Sequence, residues 1–281
     1  MGRFDFRTRN GPIYTIIQGQ EGVSFDADAQ AFFDRVTAAG GALTLIEKDA
    51  VNTLVLNLKS NNIWTLLKAV YPMVGSSAAA CSQNLKSSSF TATFSGGWTF
   101  ASSGITPNGT NAYMNTAFAP NANLTFNSCS FSIYSRTNVN PTANQSWGCA
   151  SNSNDIPLLG ATLLPVKALY SYIYSFNVPD VMQSASSQVF QGLFSASRTS
   201  AVSAVSYKNS SSIASTITNA QTTQPSSNFL LGAFRTGLNA IIDYNTYELA
   251  FAHIGDGLDS TQIGNLSSSV QTFQTSLSRQ V

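Results

Sequence analysis

The sequence has little charge. Its 281 residues include 14 Lys and Arg and 13 Asp and Glu, 10% in all, for a net charge of +1. An ordinary globular domain is roughly a quarter charged. No long basic run occurs, so the footprint of a nucleic-acid binder is missing. No apolar run reaches the ~18 residues of a membrane-crossing helix, and no membrane insertion is expected. The first 20 residues lack the apolar stretch of a secretory signal. Cysteine is scarce as well. Cys81, Cys129 and Cys149 are odd in number and widely spaced. That pattern fits neither a disulfide framework nor a zinc site, and it predicts buried free thiols.

Acids are missing where hydrolysis would need them. None occurs between Asp49 and Asp155. Acid–base cleavage of a sugar chain needs two positioned carboxylates. The strand-rich part of the chain offers Asp155, Asp180, Asp243, Glu248, Asp256 and Asp259, with no pair at i, i+2 on one strand. His253 is the single histidine, at the end of an apolar strand, and no G-x-S-x-G elbow accompanies it. "GDGLDS" at 255–260 could meet calcium through a turn, but Asp259 is better used as a helix cap. No catalytic residue, metal or cofactor is therefore expected.

Aromatics are abundant: 18 Phe, 10 Tyr and 3 Trp. Disordered chains lack them, so a real core is expected. The length allows one large all-β domain with additions, or two small domains. Residues 1–23 read as an irregular arm. It carries a basic cluster, Arg3, Arg7 and Arg9, and a short candidate strand with Ile13, Tyr14 and Ile16.

Residues 24–75 read as a helical segment. Phe25, Ala29, Phe32, Phe33 and Val36 share one helix face, with Ser24 or Asp26 as cap and Gly40–Gly41 as stop. A second helix fits Lys48 to Asn61 through Val51, Leu54, Val55 and Leu58. A third fits Ile63 to Tyr71 through Leu66, Leu67 and Val70, with Pro72 ending it.

Residues 76–281 change texture. Ser, Thr, Asn and Gly turns separate runs such as "FTATF" (90–94), "SFSIYSR" (130–136), "ALYSYIYSF" (168–176), "GLFSASR" (192–198), "AVSAVSYK" (201–208), "FLLGAFR" (229–235) and "ELAFAHI" (248–254). Many short strands with polar turns predict an antiparallel sandwich. A closing helix follows over 259–278. Asp259 and Gln262 make its capping box, and Ile263, Leu266, Val270, Phe273 and Leu277 its stripe.

The charge-free "TFSGGWTFASSGITPNGTNAYMNTAFAP" (93–120), running on to "LTFNSCSFSIYSRTN", resembles the opening strands of a concanavalin A-like (laminin-G/pentraxin-type) jelly roll. "GLFSASRTSAVSAVSYKNSSSI" is similar to that family's hairpin. "NFLLGAFRTG" and "YELAFAHIGDGLDSTQIGNLSSSVQTFQTSL" are similar to its last strands and closing helix. The helical stretch ahead of this jelly roll resembles virion or tail-associated structural proteins of tailed bacteriophages. The resemblance implies a mainly β fold: a concanavalin A-like β-sandwich with an N-terminal helical segment and a C-terminal helix.

It also implies a non-enzymatic virion component, assembled in the host cytoplasm and forming a homo-oligomer. Such a protein would be anchored on other virion proteins through Arg3, Arg7, Arg9, Ile13, Tyr14 and Ile16. The alternative is a glycan-binding lectin module that meets host surface glycans. Exposed aromatics beside polar groups would then bind sugar, and Trp98, Tyr113, Arg136 and Trp147 are the candidates. A polysaccharide depolymerase, with Asp243 and Glu248 as its acids, is the third reading.

Overall fold

The computed structural model describes residues 24–138, 145–150, 158–163, 169–173, 182–183, 190–216, 224–236 and 239–281. The arm, with Arg3, Arg7, Arg9, Ile13, Tyr14 and Ile16, lies outside the described residues. In chain order, helices α1 (Ala27–Ala38) and α2 (Leu45–Ser60) lead through one 3-10 turn to strand β1 (Leu67–Tyr71) and the short α3 (Ala78–Cys81). Four short strands follow: β2 (Thr93–Ser95), β3 (Trp98–Ala101), β4 (Gly104–Pro107) and β5 (Tyr113–Asn115). Next come α4 (Pro120–Asn123), β6 (Cys129–Ser135), β7 (Gln145–Ala150), β8 (Leu158–Leu163), β9 (Leu169–Ile173) and β10 (Met182–Gln183). The chain continues with β11 (Gly192–Ser200), β12 (Ser203–Lys208), β13 (Ser211–Thr216), β14 (Leu230–Leu231), β15 (Phe234–Arg235) and β16 (Ile241–Ile242). It closes with β17 (Leu249–Gly255) and α5 (Ser260–Ser276).

The strands form two sheets. The central sheet runs β13-β12-β11-β6-β17-β4-β3, with β1 also paired to β17. The outer sheet runs β10-β9-β8-β7-β14-β5-β2, with β15 on β7 and β16 on β15. Among the described residues all pairs are antiparallel except β15 with β7. The expected mainly β sandwich is what these residues form.

Alternation explains how the sheets stack. On β6, Cys129, Phe131 and Ile133 point between the sheets, where they join Trp147, Phe194, Phe229 and Leu249. Tyr134 points the other way, into a second core with Leu193, Phe251 and the stripes of α1, α2 and α5. A bulge in β17 between Leu249 and Phe251 turns Ala250 and Phe251 together toward the helices. The molecule is thus three layers deep: outer sheet, central sheet, helices. Both faces of the central sheet are covered at its middle, where β6 and β17 are buried along their whole length.

Caps fix the helix ends. Asp26 accepts from the Asp28 N–H at 3.0 Å and starts α1. Lys59 lies 2.6 Å from both Asp26 and Asp28, tying α2 to α1. A Thr44–Glu47 capping box starts α2, earlier than the expected Lys48. The Asp259–Gln262 box starts α5 as expected.

The third expected helix does not form. Trp64–Leu66 is a single 3-10 turn, and Leu67–Tyr71 is strand β1, paired with β17. Its residues serve two cores. Ala69 and Tyr71 face the inter-sheet core, while Leu67 and Val70 face the helices. A segment apolar on both faces reads equally as a helix stripe and as a buried strand. The open flank of β17 decides for the strand. Two strand readings also shorten: "FTATF" pairs only over Thr93–Ser95, and "FLLGAFR" breaks into β14 and β15 at Gly232, where φ is +86°.

Candidate functional site

The charge-free stretch folds into one edge of the sandwich. β2 is an end strand of the outer sheet and β3 an end strand of the central sheet, so the β2–β3 hairpin bridges the two. Its turn needs Gly96, with φ +73°, because a Cβ there would lie 2.3 Å from the Asn111 carbonyl oxygen. The turn between β4 and β5 is built by Asn108. Its Oδ1 accepts the backbone N–H groups of Thr110, Asn111 and Ala112, and its Nδ2 donates to Asn111 Oδ1 at 2.8 Å. Asn111 Oδ1 also accepts the Gly97 N–H at 3.3 Å. The two turns are locked to each other through one amide.

Aromatics stand behind this lock. Phe94 meets Trp98 at 5.2 Å and Phe100 at 4.9 Å, both edge-to-face. Trp98 donates its indole N–H to the Ser95 carbonyl at 3.0 Å, and its ring fills the space over Gly232. Tyr113 is half-buried and pairs across the ladder with Ser95. Thr93, Thr99, Asn108, Thr110 and Asn111 of the same stretch are exposed. No Asp, Glu, Lys, Arg or His occurs between Lys86 and Arg136. This stretch therefore offers aromatic surface, hydroxyls and amides and no charged side chain. It can stack on and hydrogen-bond to an uncharged, hydroxyl-rich ligand.

The other two sugar candidates are placed elsewhere. Trp147 on β7 is 1% exposed, so it is a core residue and presents no surface to a ligand. The alternating pattern of its strand does not reveal which face is covered. Arg136 is already engaged: its Nη1 lies 2.7 Å from Glu248 Oε2, and its Nε donates to the Arg279 carbonyl at 2.7 Å. The structure brings Trp98 and Tyr113 to one edge and leaves Arg136 and Trp147 out of it.

The groups weighed for chemistry all have structural duties. Ser130 Oγ gives its proton to the Asp256 carbonyl at 2.7 Å, so at 3.1 Å it accepts from His253 Nε2–H. A histidine that donates to a serine cannot also take that serine's proton. Burial pulls His253 down to about 3, which keeps the ring neutral. Asp243 accepts from Ser146 Oγ at 3.0 Å, and Glu248 is held by Arg136. In "GDGLDS", Asp256 pairs with Lys68 at 2.9 Å and Asp259 caps α5. The three cysteines are free and buried, and burial pushes the Cys81 thiol up to about 12. Among the described residues no group of three His, Cys, Asp or Glu could hold a metal ion.

A second polar surface was not read from the sequence. The outer side of α5, with Ser268, Gln271, Thr272 and Thr275, lines an open concavity of ≈ 590 Å³ together with Asn209. α5 carries no charged residue from Ser260 to Ser276, and that absence was its signal.

No protein-family model matches the chain, and no curated protein matches it. Solved structures do resemble it in fold. A Trypanosoma rangeli sialidase in complex with 2,3-difluorosialic acid aligns over 78% of this chain and 38% of its own, at 11% identity and TM-score 0.52. The same organism's sialidase in complex with sialic acid aligns over 77% and 38%, at 10% identity and TM-score 0.51. Domain 4 of an extracellular arabinanase from Geobacillus stearothermophilus, in complex with arabinotriose, aligns over 72% of this chain and 98% of its own, at 14% identity and TM-score 0.49. This chain spans little more than a third of the sialidases, and what it shares with them is a β-sandwich fold.

Proposed function

We propose that the chain is a non-enzymatic, carbohydrate-binding β-sandwich module of the concanavalin A-like jelly-roll kind, displayed on a tailed-bacteriophage particle and meeting host surface glycans. The observation that carries the sugar reading is the edge around Tyr113. Half-buried Tyr113 lies on the outward face of β5, beside the uncharged amides of two interlocked turns that hold the frame still, while Phe94, Trp98 and Phe100 pack behind it against the inter-sheet core. Preorganised aromatic and amide groups are what neutral sugars need, since little ordering entropy remains to be lost on binding. The β-sandwich fold, which solved sugar-bound proteins share with this chain at low identity, is compatible with this reading. The virion part rests on the resemblance of the helical lead and the jelly roll to tailed-phage structural proteins. In that reading the N-terminal end faces the particle, repeated symmetrically, and the sandwich projects from it.

A glycan panel read by tryptophan fluorescence tests the sugar reading. At least one neutral oligosaccharide should shift emission or raise the melting temperature. Tyr113→Ala should weaken that binding about tenfold, as loss of one stacking contact of ~1–1.5 kcal/mol does. Gln271→Ala together with Thr272→Ala on α5 should leave it unchanged. A panel with no binder sinks the reading. Binding lost only through the α5 changes would move the site there. Cryo-electron microscopy of the particle tests the display.

A further inference from the structure

α5 buries Ile263, Leu266, Val270 and Phe273 in the second core, and its outer side lines the open concavity of ≈ 590 Å³. Asn209, in the turn between β12 and β13, and Val281 line it too. The volume lies within the ~300–1,000 Å³ of small-molecule sites.

Its polar groups are unspent. A hydroxyl on a helix can bond back to the carbonyl four residues earlier. Ser269, Thr275 and Ser276 do so, at 2.7, 2.8 and 3.0 Å. Ser267 does not. It is 8% exposed, what it exposes lines the concavity, and its hydroxyl has no partner among the described residues. A buried hydroxyl left unbonded is costly, so this one calls for a ligand. Ser268 and Thr272, both exposed on the same side, add two more hydroxyls without a partner among the described residues. Asn209 is held in the left-handed region at φ +55°. Its N–H donates to the Leu193 carbonyl at 2.6 Å, and its Oδ1 accepts the Leu193 N–H at 3.0 Å. The side chain is thereby fixed, and its Nδ2 keeps both protons for another acceptor.

The chemistry selects a class of ligand. Among the described lining residues no side chain is charged, so a phosphate or carboxylate finds no counter-ion. Val281 is the one large apolar side chain among them, so a peptide finds no pocket for its anchors. Hydroxyls that both donate and accept, beside a fixed amide donor, match the neighbouring hydroxyls of a neutral sugar.

We propose that the concavity between α5 and the β12–β13 turn is a second carbohydrate site, which takes a neutral sugar ring on Ser267, Thr272 and the Asn209 amide. The inference rests on the carbohydrate reading for the kind of ligand and shares no residue with the edge at Tyr113. That edge belongs to the outer sheet and α5 to the helical layer, with the central sheet between them.

Amide NMR of the isotopically labelled full chain tests it, with glucose, galactose, N-acetylglucosamine and N-acetylgalactosamine as probes. At least one should move the signals of Ser267, Ser268, Thr272 and the Asn209 side chain in a saturable way. Ser267→Ala should weaken that binding about three- to tenfold, as loss of one neutral hydrogen bond does. Thr272→Trp, an exposed position, should block it and leave signals elsewhere in place. Tyr113→Ala should leave it intact. Shifts around Tyr113 with none on α5 overturn the second site and uphold the edge. Shifts at neither place overturn both. Binding on α5 that Ser267→Ala and Thr272→Trp leave unchanged overturns the proposal as well.

Discussion

At the scale of single residues, two buried polar groups govern stability. Arg279 is 1% exposed, with Glu47 and Glu248 near enough to act on its charge and no ion pair to it among the described residues. Its guanidinium donates to Gln274 Oε1 at 2.5 Å and to the carbonyls of Pro72, Met73 and Ala250 at 2.7–2.8 Å. Burial pulls it down to about 10, still charged at neutral pH. Arg279→Met should cost ~3–5 kcal/mol in urea unfolding, because the buried Pro72 and Met73 carbonyls and Gln274 Oε1 lose their donor, while the Ala250 carbonyl keeps Gln274 Nε2. Arg279→Lys should recover less than half, since an ammonium cannot span a planar set of four acceptors. His253 sets a pH dependence. Its folded value, about 3, lies below the ordinary 6.5, so the unfolded chain binds the proton more readily. Stability from the neutral ring is complete above pH ~6.5 and falls as pH drops toward ~3, by at most ~1.4 kcal/mol per unit. Urea unfolding at pH 7, 6 and 5 should show that slope, and His253→Gln should flatten it.

At the scale of elements, the sequence is readable where one face is buried and ambiguous where two are. α1, α2 and α5 each bury a single stripe, and the spacing of Phe32, Leu54 and Val270 within their stripes predicts them. β1 buries both faces, so its apolar residues carry no period, and a helix was the natural expectation. Its other flank is held by Asn84, sixteen residues beyond Lys68, which no local pattern reveals. Asn84 Oδ1 accepts the Val70 N–H at 2.8 Å, and its Nδ2 donates to the carbonyls of Lys68 and Ser89. The Asn84 amide, with the Leu85 N–H donating to the Val70 carbonyl at 2.8 Å, thus replaces a neighbouring strand and blunts the free flank of β1. Asn84→Ala should cost ~2 kcal/mol and speed hydrogen exchange at Val70 before the rest of the central sheet. The site divides the same way. Trp98 and Tyr113 follow from turn chemistry between local strands, and both reach the edge. Trp147 and Arg136 were misplaced because their surroundings, the opposite sheet and the Arg279 segment, come from distant parts of the chain.

At the scale of the molecule, the central sheet belongs to both cores, so the helices and the sandwich cannot melt apart. Calorimetry should give one transition, with calorimetric and van't Hoff enthalpies equal; two resolved transitions would mean the second core is dispensable. The locked turns have an evolutionary meaning as well. Asn108, Asn111 and Gly97 form one closed set of bonds, so neither loop can lengthen without breaking the other. A lineage that needs a new ligand at this edge must keep the loop lengths and change side chains, at Thr99, Thr110 or Tyr113. A library randomised at those three positions on the fixed frame should return folded variants far more often than one built from insertions between Gly96 and Asn111.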